Sequence, residues 1–169
     1  MKLLRLMAGA ALAAASLTTA AGAVTHPVAI PVSMTPGTGC ANVTFNPLNF
    51  GTVASGTGAA ANTTISVTCT SGTPYKILLN AGAYCSAHTG CPGSRVAVDG
   101  NGDQVDYNFY QDAALQTLWG DDDATFNAAS ESGTGTGGAQ TVTVYGELAT
   151  CSCNPSATYT DTATATVSF

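Results

Sequence analysis

Charge is what this chain has least of. Only 8% of its 169 residues are charged, four of them Lys or Arg against ten Asp or Glu, and the formal net charge is −6. So few cations exclude a phosphate-reading surface, and with it nucleic acid and anionic membranes as partners. Histidine is scarcer still. His26 stands near the N-terminus and His88 between two cysteines, neither beside a nucleophile motif, so no hydrolytic triad can be read and an enzyme is not expected. Helical periodicity is missing too, because beyond residue 23 every window of apolar spacing at three and four residues is interrupted by Gly or Pro. An all-β chain remains. Its one long apolar stretch, from Leu6 to Leu17, falls short of the ~20 residues that span a bilayer.

That stretch follows Lys2 and Arg5 and ends at the small-residue site Ala21-Gly22-Ala23, the pattern of a secretory signal over residues 1–23. The mature chain then begins at Val24, suits one domain, and is more acidic than the whole. It is rich in Gly, Thr, Ala and Ser, as exported β-proteins are, so a cell-surface or extracellular place is expected, without membrane insertion after signal removal.

Six cysteines make an even set in an oxidising compartment, where disulfides are the default. Cys40 and Cys69 border strand-like runs, and joining them closes a loop of about 30 residues, contributing roughly 3–4 kcal/mol in the chain-entropy model. Cys85 with Cys91 and Cys151 with Cys153 form two turn-like clusters that either close on themselves or cross-link two loops, and disulfide geometry disfavours a ring between Cys151 and Cys153. The same clusters with His88 supply enough soft ligands for zinc, but the spacing matches no finger pattern and export favours bridges. No metal and no cofactor are expected.

Strand candidates are short and alternate apolar with polar. Ile65, Val67 and Cys69 form one, Tyr75, Ile77 and Leu79 another, and Val142 and Val144 a third. Val96 and Val98 face residues 105–110 across Asp99-Gly100-Asn101-Gly102, a hairpin turn by its glycines and Asn. With residues 40–45 and 159–169 the count is about seven, which predicts an immunoglobulin-like sandwich. Residues 54–63 and 127–139, rich in Gly, Ala, Ser and Thr, read as loops. Asp99 to Asp103 is not a calcium loop, since Gln104 holds the sixth position and Tyr110 the twelfth. Asp121, Asp122 and Asp123 with Asn127 offer a calcium site but read better as a solvated loop. Asn42 and Asn62 sit in glycosylation sequons.

The two ends of the mature chain complement each other. Val28, Ile30, Val32 and Met34 alternate with small residues as in a half-buried strand, separated from Cys40 by a Pro/Gly linker; residues 24–39 therefore read as a donor-strand extension and linker, and 40–169 as the domain. At the other end Ala163, Ala165, Val167 and Phe169 face one way and Thr162, Thr164, Thr166 and Ser168 the other, an edge strand with room for a neighbour. A detached strand and an open edge are the ingredients of head-to-tail assembly. The alternative is that the N-terminal segment folds back as the chain's own edge strand.

The run Asp106-Tyr107-Asn108-Phe109-Tyr110-Gln111-Asp112-Ala113-Ala114, followed by Leu118-Trp119-Gly120-Asp121, resembles the spore coat protein U domain, the fold unit of archaic chaperone-usher pilins. Asn49-Phe50-Gly51, Cys69-Thr70 with Gly72-Thr73-Pro74-Tyr75, Thr143-Val144-Tyr145-Gly146 and Tyr159-Thr160-Asp161-Thr162 stand where that family has them. The resemblance implies an incomplete immunoglobulin-like sandwich lacking its last strand, which a periplasmic chaperone lends during export and a neighbouring subunit supplies in the fibre beyond the outer-membrane usher. A structural subunit serving surface adhesion and biofilm formation is the function so implied. The rivals are a spore or cell-surface coat protein and a small secreted carbohydrate-binding module using Tyr110, Trp119 and Phe126.

Overall fold

The computed structural model describes residues 37–85, 93–123, 128–154 and 156–169. Eight strands follow in chain order: β1 Cys40–Phe45, β2 Ala59–Cys69, β3 Pro74–Leu79, β4 Arg95–Val98, β5 Gln104–Tyr110, β6 Glu131–Thr134, β7 Ala139–Leu148 and β8 Ala165–Ser168. They form an immunoglobulin-like arrangement of two antiparallel sheets, ordered β1-β2-β7-β5-β4 and β6-β3-β8.

The long pair β2 and β7 is the spine of the larger sheet, in register from Ala59 opposite Leu148 to Thr68 opposite Ala139. Alternation drives it: Ile65, Val67, Cys69 and Val144 are buried on the inner face while Ser66, Thr68, Thr141 and Thr143 face out. β3 supplies Tyr75, Ile77 and Leu79 from the opposite sheet, and β5 supplies Val105, Tyr107 and Phe109. Tyr107 meets Phe50 and Phe109 edge-on, with centroids 6.4 and 5.3 Å apart. Trp119 lies at the centre with no exposure, its indole N–H donating to the Ile77 carbonyl at 2.9 Å. The β4–β5 turn forms as expected: the Asp99 carboxylate accepts from the backbone N–H groups of Asn101 and Asp103, while Gly102 takes φ +91°.

Four expectations need correction. Residues 59–63 are not loop but the first half of β2, and residues 131–134, also read as loop, are β6. Their inner faces carry Ala59, Ala61 and Thr63 in the first and Glu131 and Gly133 in the second, so no apolar alternation shows. Space is tight there: a Cβ on Gly146, which opposes Ala61, would collide with Leu48, and one on Gly133 would collide with the Tyr75 ring. The C-terminal strand covers Ala165–Ser168 alone, because the residues before it are held by side chains, described below, instead of by a continuous ladder. Finally, Cys151 pairs with Cys153, with Cα atoms 5.1 Å apart, within the span that a disulfide bridges. Cys40 and Cys69 are bridged as expected, directly opposite each other on β1 and β2. Cys85 is disulfide-bonded, and Cys91 lies outside the described residues.

Replacing both Cys40 and Cys69 with Ala is expected to lower the unfolding free energy by about 3–4 kcal/mol, read from urea unfolding as a lower midpoint.

Candidate functional site

Two sheets have four outer edges, and here each is finished differently. The β4 edge is covered: Val98 and Thr160 exchange backbone hydrogen bonds at 3.0 Å in both directions. β1 and β8 touch each other but are not paired, each having a single neighbour, β2 and β3 respectively. Opposed residues share a face of a sheet, so Phe45, opposite the fully buried Ile65, belongs to the inner face, as do Ala165 and Val167, opposite Leu79 and Ile77. Among the described residues the exposed large apolar side chains are Val43 at 43%, Phe45 at 37%, Tyr84 at 39% and Phe169 at 63%; Val43 and Phe45 lie on β1 and Phe169 directly after β8, while Ala165 and Val167 are half-buried against the core. The gap between β1 and β8 narrows where Phe169 approaches the start of β1, since a Cβ on Gly39 would lie 3.7 Å from its ring.

Within β1 the register slips between Ala41 and Thr44, a bulge at which Asn42 takes φ +52°. Such a bulge adds local twist to an edge and leaves Val43 out of the ladder with β2.

The expected accepting residues therefore stand together along one element: Ala163, Ala165 and Val167 pack half-buried against the core, and Phe169 is exposed. The expected donor residues Val28, Ile30, Val32 and Met34 lie outside the described residues.

What places β8 is a polar cluster that the sequence reading missed. The Asn80 side chain accepts from the Thr164 N–H at 2.8 Å and the Gly82 N–H at 3.1 Å, and the Asn80 N–H donates to the Thr164 carbonyl. Asp161 accepts from the Tyr107 hydroxyl at 2.8 Å and the Ala83 N–H at 3.0 Å. Gly82, at φ +86°, has no room for a side chain, because a Cβ would strike the Asp161 carboxylate. Behind them lies Arg95, fully buried, donating to the carbonyls of Leu79, Asn80 and Trp119 at 2.8–2.9 Å with its guanidinium 4.5 Å from the centre of the Phe109 ring. Burial lowers its pKa to about 10, opposed by Tyr107, Asp121 and Asp161, so it stays charged. Burial, and then the bond to Asp161, pushes the Tyr107 hydroxyl well above the ordinary tyrosine value. One signal was legible, since Arg95 and Lys76 are the sole Lys or Arg residues after residue 23, and a lone Arg inside a valine-rich strand needs a buried partner.

The acidic triplet has a structural job. Asp122 pairs with Lys76 at 2.9 Å and accepts from the Ser130 N–H and hydroxyl, which holds its carboxyl down at about 2. Asn127, invoked with it for calcium, lies outside the described residues, as do His88 and Phe126. Of the aromatics proposed for sugar contact, Trp119 is core and the half-buried Tyr110 has its hydroxyl bonded to Glu147 at 2.9 Å. Among the described residues the β1 and β8 edges have no strand paired to their outer sides, and exposed Phe45 and Phe169 lie beside them, an arrangement that fits an extended polypeptide.

Comparison with known proteins gives the same picture. The model of the Spore Coat Protein U domain matches residues 27–166. No curated protein matches the chain. Among solved structures, the crystal structure of the CsuC–CsuE chaperone–tip adhesion subunit pre-assembly complex, from archaic chaperone-usher Csu pili of Acinetobacter baumannii, is similar with a TM-score of 0.54 at 19% identity. That match covers 78% of this chain, which spans about 40% of the length of the matched one.

Asp161→Ala, by stranding the Tyr107 hydroxyl and the Ala83 N–H, is expected to cost about 1–3 kcal/mol in urea unfolding. The Asp122 contribution has a defined pH window. Its folded value is depressed from 3.8 to about 2, so its stabilisation is complete above pH 4 and disappears as pH falls through 2. Melting curves of wild type and Asp122→Asn are therefore expected to differ at pH 6 and converge near pH 2.

Proposed function

The chain belongs to the Spore Coat Protein U domain family, and from that premise we propose that it is a structural subunit of a chaperone-usher pilus that polymerises by donor-strand exchange. The observation that carries this reading is the pair of edges β1 and β8, each paired with one strand among the described residues, with Phe45 on the inner face of the first and Phe169 just past the second both exposed. In this reading residues 1–23 direct export and are removed, and residues 24–36 of one subunit enter the gap of the next. Burying Val28, Ile30, Val32 and Met34 contributes roughly 1.5–3 kcal/mol each, and each ladder hydrogen bond about 0.5–1.5 kcal/mol more. Pro31 has no N–H and forfeits one such bond. A periplasmic chaperone fills the gap first, because an exported subunit with an uncovered edge is prone to aggregate. The name of the similar solved structure, a complex of chaperone and pilus subunit, supports that partner. The outer-membrane usher and neighbouring subunits complete the route to the cell surface, where the fibre serves adhesion and biofilm formation. Catalysis has no part in it.

Deleting residues 24–34 is expected to leave a folded, chaperone-bound domain that forms no fibres by electron microscopy. Val167→Asp, which sets a charge in the gap, is expected to weaken uptake of a synthetic peptide of residues 24–36 at least tenfold. Fibres from the deletion variant would refute the role.

A further inference from the structure

The fourth sheet edge, β6, differs from β8 in one respect that bears on assembly. Both strands flank β3, and the same residue of β3, the fully buried Ile77, is opposed by Val167 on one side and by Glu131 on the other. Sharing a face with Ile77, Glu131 belongs to the inner side of the sheet. The strand's own alternation agrees, since Glu131 and Gly133 are half-buried while Ser132 and Thr134 are exposed. Gly133, opposite Tyr75, adds no side chain to this face. The outer backbone of β6 is held at its two ends, the Ser130 N–H by Asp122 and the Thr134 carbonyl by the Gln140 side chain, and what stays open between them is a second landing place for an extended segment.

We propose that Glu131 bars that place, so that strands from other copies of this chain add at the β1–β8 gap and not alongside β6. A segment paired with β6 would set an apolar side chain against the inward carboxylate and strip its remaining water, and a buried charge without a partner is strongly unfavourable. The carboxylate already feels this environment. Burial alone pushes its pKa up, with no neighbouring charge to offset it. Natural sheets guard their edges in this way, with inward-pointing charges on short strands. Selectivity between the two edges of one three-stranded sheet thus comes down to Val against Glu across Ile77.

The inference rests on the donor-strand reading, and one experiment separates the two. The subunit, purified in complex with its chaperone, is mixed with a saturating excess of the peptide of residues 24–36, and bound peptides are counted by native mass spectrometry. Wild type is expected to take up one peptide and Glu131→Val two, with second-site occupancy raised at least tenfold. Should Glu131→Val fail to fold, Glu131→Gln, of the same shape without the charge, is expected to raise the second occupancy above wild type. One peptide on both wild type and the folded variant would overturn the role of Glu131 while leaving donor-strand exchange standing. No peptide on wild type would overturn both.

Discussion

A β-sandwich closes only when every inner-face side chain along its margins has something laid over it, and among the described residues of this protein no strand is paired between β1 and β8. β8 is bonded to β3 alone and β1 to β2 alone, yet Phe45, Ala165 and Val167 all point inward from them. In the proposed assembly a strand laid between them contributes two ladders of hydrogen bonds and a row of apolar side chains at once, which is how a small all-β domain would become a link of a chain.

Keeping the gap open has its own structural requirements. An edge strand with one neighbour would fray or collapse across the opening unless fixed from behind. Asn80 and Asp161 fix it, holding the backbone of residues 162–164 and the turn at Gly82, and Arg95 in turn ties the end of β3 to the loop carrying Trp119. Arg95 is buried and charged, which is costly unless it is bonded, and it donates to three carbonyls. The Cys40–Cys69 bridge does the same for β1. Both β1 and β8 are therefore held by contacts of their own besides the ladders to β2 and β3.

Strand alternation in Ile65-Val67-Cys69 and Tyr75-Ile77-Leu79 and the Asp99 to Gly102 turn were legible because each is a local pattern with a local cause. So was the inner face of the last strand, where small and large apolar residues alternate with Thr. The first half of β2 and all of β6 were not, because Ala59, Ala61 and Thr63 in one and Glu131 and Gly133 in the other put no large apolar side chain on the inner face, and such a strand looks like a loop. The Arg95, Asn80 and Asp161 cluster was hidden for another reason: its members lie far apart in sequence and meet only once both sheets are folded. The sandwich itself could be inferred from periodicity, but the uneven finish of its four edges could be seen only from register.

The most direct test is amide hydrogen exchange on the chaperone-bound subunit before and after the chaperone is displaced by the peptide of residues 24–36. Protection is expected to be retained, and deepened, along β1 and β8 together, with exchange at β4 and β6 unchanged. Peptide binding that leaves the amides of β1 and β8 exchanging freely, or that protects some other edge instead, would contradict the account.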